Sequence, residues 1–232
     1  PFRETVGVAD IRERARTAAL RYLAHGTTLI RTHVDTGPGI GLRAIEAVLG
    51  VRAELAGLVD IQVVAAASNP VEGIGGAESR ALLRAALDAG ADLVGGGPWL
   101  SDDPAAALDT LLDVAAETGR GVDLHLDETL DPRILTLPAL IERVRAGFPG
   151  SVTASHCVSL GSQPEGVRRS IAEALAATGI AVVTNPITNL YLQGRAADGP
   201  APRGFTAIDD LLRAGAPLAA GGDNVRDPFN PM

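Results

Sequence analysis

The sequence predicts an α/β protein of the (β/α)8 TIM-type barrel class, with the first strand missing from residues 1–232. Short apolar strand-like runs alternate with helical stretches along the chain, a pattern typical of parallel sheets buried on both faces. Polar side chains follow the ends of six strands, whereas a doubly wound sheet gathers its ligands at one switch point, so this spread favours the barrel. The polar residues are His33, Asp35, Glu72, His125, Glu128, His156, Asn185, Asn189 and Asp223.

The predicted elements alternate strictly. Strands are predicted at residues 27–35, 61–66, 92–95, 121–125, 151–156, 180–184 and 217–221. Helices are predicted at residues 12–24, 42–55, 77–89, 104–117, 134–146, 165–177 and 205–214. Several of these helices end in Ala-Gly or Thr-Gly, which predicts that a glycine with left-handed backbone ends the helix. A loop that contains glycine and proline precedes the last helix.

The ends of the chain bear on its domain organisation. Because the chain opens on a helix and carries seven predicted strands, an eight-stranded barrel requires one more strand before residue 1 and one more helix after residue 232. No linker or low-complexity tract interrupts the chain. We therefore expect a single barrel domain over residues 1–232, incomplete at both ends.

The composition excludes several classes of function. The net charge of −8 argues against nucleic-acid binding, which requires clustered positive charge. No apolar run is long enough to span a bilayer. Cys157 is the single cysteine of the sequence, which excludes an internal disulfide and fits a reducing cytoplasm. We expect it to be a small buried side chain. Lysine is absent, which excludes a Schiff base or a carbamylated lysine that bridges two metals.

Four residues near strand ends are candidates for catalysis. His125 closes a strand and Glu128 follows three residues later, a spacing that suits a metal ligand beside a general acid or base. The other interpretation is an ordinary strand-end histidine with a glutamate at a helix start. His156 ends the next strand, so both histidines would converge on one barrel mouth. Asp223 follows two glycines that let the backbone turn its carboxylate over that mouth, although alone it would be a structural turn residue.

Five segments together resemble the cytosine deaminase branch of the amidohydrolase superfamily. They are RTHVD at 31–35, DLHLDE at 123–128, VTASH at 152–156, TNPITNLYLQGR at 184–195 and GDNVRDPF at 222–229. The resemblance implies that His125 and Asp223 are ligands of a single Fe²⁺ or Zn²⁺ ion. It also implies that His156 orients or polarises the attacking water and that Glu128 carries a proton to the departing nitrogen.

The resemblance further implies two metal ligands that residues 1–232 do not supply. In the family they form a His-x-His pair on the first barrel strand, and no such pair occurs here. This agrees with the missing strand found by counting. We expect the pair at the end of an apolar strand within a few tens of residues before Pro1.

The substrate pocket is where the sequence departs from the family. Val71 stands in place of the family's cytosine-recognising glutamine. Because valine cannot hydrogen-bond the amide edge of a pyrimidine, the sequence argues against cytosine itself. Asn224 replaces an aspartate that often follows the metal-binding one. Phe229 occupies a position where the family can carry another aromatic residue, and Trp99 is expected to line the pocket or its rim. These four residues are the predicted substrate-binding side chains.

Three functions fit these observations. The first is a metal-dependent hydrolytic deaminase that releases ammonia from a small nitrogen heterocycle: a cytosine-like or otherwise substituted pyrimidine, a triazine or a creatinine-like ring. The second is a hydrolase of the same superfamily that opens a cyclic amide. The third is an inactive barrel fragment without metal, which the missing His-x-His supports. We expect a cytoplasmic protein whose partner is a small heterocycle rather than nucleic acid or membrane, and a homo-oligomer is left open.

Overall fold

The alternation of strands and helices predicted from the sequence is present in the computed structural model, which describes residues 2–195, 198, 203–225, 227, 228 and 230. The strands are β1 (Leu29–Thr36), β2 (Asp60–Ala67), β3 (Leu93–Gly96), β4 (Gly121–Leu126), β5 (Val152–His156), β6 (Ala181–Thr184) and β7 (Leu218–Ala220). The helices are α1 (Phe2–Thr5), α2 (Val8–Ala24), α3 (Arg43–Glu54), α4 (Ala77–Asp88), α5 (Pro104–Glu117), α6 (Leu137–Arg145), α7 (Val158–Gly161), α8 (Glu165–Thr178), α9 (Pro186–Leu192) and α10 (Ile208–Ala214). A 3₁₀ turn covers Pro98–Leu100.

Contacts between residues divide the chain into two compact units. The first consists of Pro1–Gly97 and Asp109–Val122, and the second of Pro98–Leu108 and Asp123–Met232. A single barrel domain over residues 1–232 stays a prediction. In the ranges that the structure describes, no helix is long and apolar enough to cross a bilayer.

In the first unit, β1, β2 and β3 are adjacent in that order and pair in parallel. Successive residues of a strand point to opposite faces of its sheet. Val63, Val64 and Ala65 of β2 are all inaccessible to solvent, so both faces of this strand are covered. The helices that follow β1 and β2 contribute Ile45 and Leu83, which are also fully buried. Because both faces of β2 are buried, its sequence is a nearly continuous run of apolar residues.

The second unit contains β4 from Asp123 onward together with β5, β6 and β7. These strands are adjacent in chain order, and β6 pairs in parallel with both of its neighbours. All five residues of β5 are buried. Because the strands are parallel, the carboxyl ends of β4 to β7 lie at one edge of the sheet. His125 and His156 lie at the ends of β4 and β5, and Glu128 and Asp223 follow β4 and β7 at this edge.

Two expectations about the helices have opposite outcomes. Gly179 and Gly215 follow α8 and α10 with φ of 70° and 74°, so the predicted left-handed helix stops are confirmed. The prediction of a loop between β6 and α10 is wrong in part, because α9 occupies Pro186–Leu192 there. A proline at the first helical position favours a helix start. The periodicity did not reveal this helix, because Ile187 and Leu190 are exposed rather than packed into a core.

Candidate metal and catalytic site

The two histidines expected to converge do so. His125 lies in β4 and His156 closes β5, and their ring centroids are 4.9 Å apart with the planes tilted by 33°. His125 is half-buried, whereas His156 is 1% exposed. Their packing follows from adjacent strands that end at the same edge of the sheet.

Two of the predicted site residues have a left-handed backbone that residues other than glycine rarely adopt. The φ angle is 72° at His156 and 57° at Asp223. Each such residue lowers the stability of the folded state by about 1–3 kcal/mol, and the conformation persists only where neighbouring contacts hold it in place. At His156 the backbone carbonyl accepts a hydrogen bond from the buried hydroxyl of Thr206. Left-handed residues of this kind concentrate at functional sites, which supports the assignment of both residues to one.

A set of metal-type donors is present at this edge. Among the described residues, three side chains bring one ligand atom each to within 4.8 Å of one another: His125, His156 and Asp223. Two imidazole nitrogens and one carboxylate oxygen form a donor set that suits Zn²⁺ or Fe²⁺. The residues therefore fit the divalent ion expected from the sequence. The finer prediction, in which His125 and Asp223 ligate while His156 acts on the water, stays a prediction.

Glu128 has the surroundings expected of a proton carrier. Its Oε1 lies 3.4 Å from Nδ1 of His156, and its side chain is 16% exposed. Burial, followed by the charge of Asp223, raises the pKa of Glu128 to about 7, while a hydrogen bond from Asn189 opposes that rise. A carboxyl group that titrates near neutral pH can both give and take a proton there.

Carboxamides of the α9 segment form part of the site, and the sequence analysis assigned them no role. The side-chain nitrogen of Asn185 lies 3.3 Å from Nε2 of His156. That of Asn189 lies 3.2 Å from Nδ1 of His156 and 3.3 Å from Oε1 of Glu128. Gln193 donates to the backbone carbonyl of Glu128 at 3.1 Å. Their spacing of four residues was the available signal, because it places side chains on one helix face.

Asp127 is a second residue whose role the sequence analysis missed. It is fully buried, and its carboxylate accepts hydrogen bonds from the Thr136 amide at 2.8 Å, the Thr136 hydroxyl at 2.7 Å and the Leu137 amide at 3.2 Å. Burial raises the pKa of Asp127 while these hydrogen bonds lower it. α6 starts at Leu137, three residues later than predicted. The contacts tie Asp127, at the end of β4, to this helix start.

Cys157 has the inert environment that was expected of it. Its thiol is completely buried, and burial raises the pKa well above its usual range. A thiol with so little thiolate character is a poor nucleophile. The prediction of a small buried side chain is confirmed.

The predicted substrate-binding residues occupy different environments. Trp99 is half-buried in the 3₁₀ turn of the second unit, and its indole nitrogen is buried without a hydrogen-bond partner among the described residues. Asn224 is exposed beside Asp223. Val71 belongs to the first unit and is 0% exposed. Phe229 lies outside the described residues. Substrate binding by all four stays a prediction.

A cleft elsewhere in the second unit contains none of the predicted site residues. It includes Arg168 and Phe205 in its walls, beside the start of α10. Within the cleft Arg168 is already paired with Asp210 at 2.7 Å. The chemistry-bearing side chains thus lie at the strand ends and not in this cleft.

Comparison with known proteins decides the family. The model of the Amidohydrolase family matches residues 6–232. The chain belongs to this family. The amidohydrolase chain is 38% identical over 223 residues to a pterin deaminase of Rhizobium rhizogenes. This alignment covers 95% of our chain and 51% of the relative. It is also 30% identical over 231 residues to an N-isopropylammelide isopropyl amidohydrolase of Pseudomonas sp. strain ADP. That alignment covers 96% of our chain and 52% of the relative.

A solved structure agrees with these relatives. A 5-methylcytosine deaminase from Klebsiella pneumoniae, liganded with 5-fluorocytosine, superposes on 99% of this amidohydrolase chain with a TM-score of 0.89 and 34% identity. The superposition covers 56% of that chain. Our chain therefore spans about half the length of the relatives it matches. The resemblance to the cytosine deaminase branch and the TIM-type barrel class are both confirmed.

Proposed function

We propose that this amidohydrolase catalyses hydrolytic deamination of a small nitrogen heterocycle, with one Zn²⁺ or Fe²⁺ ion as cofactor. The observation that carries the proposal is the convergence of His125, His156 and Asp223, whose donor atoms lie within 4.8 Å of one another. Glu128 lies at the same site. This combination of metal donors and a carboxyl group that titrates near neutral pH is what addition of water to an amidine-like carbon requires.

The ion would be held by His125 and Asp223, two of the three residues whose donor atoms converge. When bound, a divalent cation supplies Lewis acidity, which makes water acidic enough to act as a nucleophile near neutral pH. This chemistry requires no activated serine, cysteine or lysine nucleophile. The native metal is tested by elemental analysis of protein purified without added metal.

The protein's own groups would move the protons. Asp223 accepts a proton from the water whose oxygen joins the ring carbon, and His156 orients that water. Glu128 holds a proton near neutral pH, because burial raises its pKa to about 7. It gives this proton to the exocyclic nitrogen as the carbon–nitrogen bond breaks and ammonia leaves. The proton accepted by Asp223 then returns Glu128 to its neutral form.

The substrate class is inferred from the relatives and from Val71. A pterin deaminase, a 5-methylcytosine deaminase and an isopropylammelide amidohydrolase all carry names that denote amine-bearing nitrogen heterocycles. We infer a substituted pyrimidine, pterin or triazine as the substrate. Cytosine itself is disfavoured, because Val71 offers no donor or acceptor to an amide edge.

The proposal is tested by measuring ammonia release from the purified, metal-loaded protein. The panel comprises cytosine, 5-methylcytosine, pterin, an amine-substituted triazine and creatinine. We expect ammonia in stoichiometric amounts with a hydroxylated ring product from at least one compound. Ring opening without ammonia would favour the cyclic amide hydrolase. No product from any compound, with metal bound, would contradict the proposal.

A further inference from the structure

The last two residues of β5 do not follow the alternation of a regular strand. Successive residues of a strand point to opposite faces, so Asp123 and His125 of β4 share one face. Ser155 of β5 lies on that same face, because its hydroxyl donates to the Asp123 carboxylate at 2.9 Å. Regular alternation would place His156 on the other face. Its imidazole nevertheless packs against the ring of His125, with 4.9 Å between the centroids.

The left-handed backbone at the end of β5 makes this arrangement possible. The φ angle is 72° at His156 and 50° at Cys157. Residues other than glycine keep such angles only where neighbouring contacts hold them. A residue with positive φ leaves the pleat of the strand, so its side chain no longer obeys the alternation. The position of the His156 imidazole therefore depends on the contacts that hold this turn.

Hydrogen bonds hold the turn from two sides. The Cys157 amide donates to the carbonyl of Leu126 at 2.9 Å, which ties the turn to the end of β4. The carbonyl of His156 accepts from the hydroxyl of Thr206 at 2.5 Å. The Thr206 oxygen also lies 3.0 Å from the hydroxyl oxygen of Thr184, the last residue of β6. A carbonyl can only accept and a hydroxyl has one proton, so Thr206 donates to His156 and accepts from Thr184.

The segment that carries Thr206 is packed closely against the elements after β5. A Cβ at Gly161 would overlap the carbonyl oxygen of Phe205, so glycine is what lets this segment approach α7. Thr206 is 3% exposed, so water does not readily take the place of its hydroxyl. It lies 50 positions from His156 in sequence, and the packing of α10 against α8 brings the two together.

We propose that Thr206 is a positioning residue whose hydroxyl holds the left-handed turn and thereby keeps the His156 imidazole beside His125 and Asp223. The inference rests on the proposed function for its kinetic consequence alone. Thr206 acts through the backbone of His156 and touches none of the reacting atoms. Without its hydroxyl, the buried carbonyl of His156 loses this donor. The peptide then relaxes towards the regular strand and withdraws the imidazole from the site.

The test compares variants of the purified, Zn²⁺-loaded protein. Thr206→Val keeps the shape of the side chain and removes the hydroxyl, and Thr206→Ala removes it with a smaller side chain if the valine variant does not fold. Thr206→Ser keeps the hydroxyl and removes a buried methyl group. Thr178→Val is the matched control, because the Thr178 hydroxyl also donates to a backbone carbonyl, that of Ala174 at 2.8 Å, at the far end of α8. Circular dichroism establishes folding, and kcat is expressed per bound zinc.

The first readout is the position of the imidazole in crystal structures of the wild type and the variants at position 206. We expect Thr206→Val to lengthen the distance between the His125 and His156 centroids by about 1 Å and to lower kcat about 10²-fold, the cost of a misplacement of this size. Thr206→Ser and Thr178→Val should keep kcat within about threefold of the wild type.

The second readout is Tm, which separates a positioning role from a purely structural one. Thr206→Ser should lower Tm, because it leaves a cavity in place of a buried methyl group, and should still keep kcat. Activity then follows the hydroxyl and not the stability. KM should change less than kcat in Thr206→Val, because Thr206 does not hold the substrate.

The inference is overturned if folded Thr206→Val keeps the imidazole in place or keeps kcat within about threefold of the wild type. It is also overturned if Thr206→Ser loses as much activity as Thr206→Val. A wild type that releases no ammonia would count against the proposed function instead. In that case the crystal structures decide the inference by the position of His156 alone.

Discussion

Removal of the Asp127 carboxylate is expected to destabilise the protein. The carboxylate accepts from three buried donors at the start of α6, two backbone amides and one hydroxyl, at 2.7–3.2 Å. A hydrogen bond to a charged group contributes about 1.5–3 kcal/mol, and a buried donor left unpaired costs about 1–3 kcal/mol. Desolvation of the carboxylate offsets part of the gain. We expect Asp127→Ala to lower the free energy of unfolding by about 3 kcal/mol, which corresponds to a fall in Tm of about 6–12 °C.

The assay is urea unfolding followed by circular dichroism, with metal content held constant. The matched control is Asp131→Ala, because Asp131 pairs with Arg133, a side chain that is 88% exposed, and exposed pairs contribute about 0–1 kcal/mol. Thr136→Val removes only the hydroxyl donor and should cost about 1 kcal/mol. The double variant Asp127→Ala/Thr136→Val should lose less than the sum of the two, since both changes remove one shared contact. The reasoning is refuted if Asp127→Ala is no more destabilising than Asp131→Ala.

Further predictions concern activity. Glu128→Gln should abolish ammonia release and retain the wild-type metal content by elemental analysis; metal loss would show that the residue ligates. Val71→Gln should raise cytosine deamination relative to the preferred heterocycle, and efficient wild-type turnover of cytosine would contradict this. Gly221→Ala adds a Cβ that would overlap Oδ1 of Asn185. The displaced amide should lower kcat about tenfold or more with little change in Tm, and unchanged kcat would exclude a role for this contact. Chelation should abolish ammonia release and lower Tm, and Zn²⁺ or Fe²⁺ should restore both; activity that survives complete metal removal would contradict the metal assignment.

The sequence by itself determined the fold class and the edge of the sheet at which the site lies. Strands buried on both faces must be apolar, so their alternation with helices is visible in the order of apolar and polar residues along the chain. All seven strands lie within two residues of their predicted bounds. Parallel strands end at one edge, so His125 and His156 could be predicted to meet without knowledge of any side-chain contact. The resemblance added Asp223 and Glu128, which lie at the same site.

Only the tertiary structure decided the properties of these groups. The raised pKa of Glu128 arises first from burial, which exists only once the surrounding elements have packed. Asn189 contacts residues 33 and 61 positions away in sequence, and Asp127 reaches across a turn to the start of α6. Local spacing does not encode such partners, because it is the packing of the strands and helices that brings them together. Side-chain contacts of this kind follow from three-dimensional packing, whereas the pattern of strands follows from burial alone.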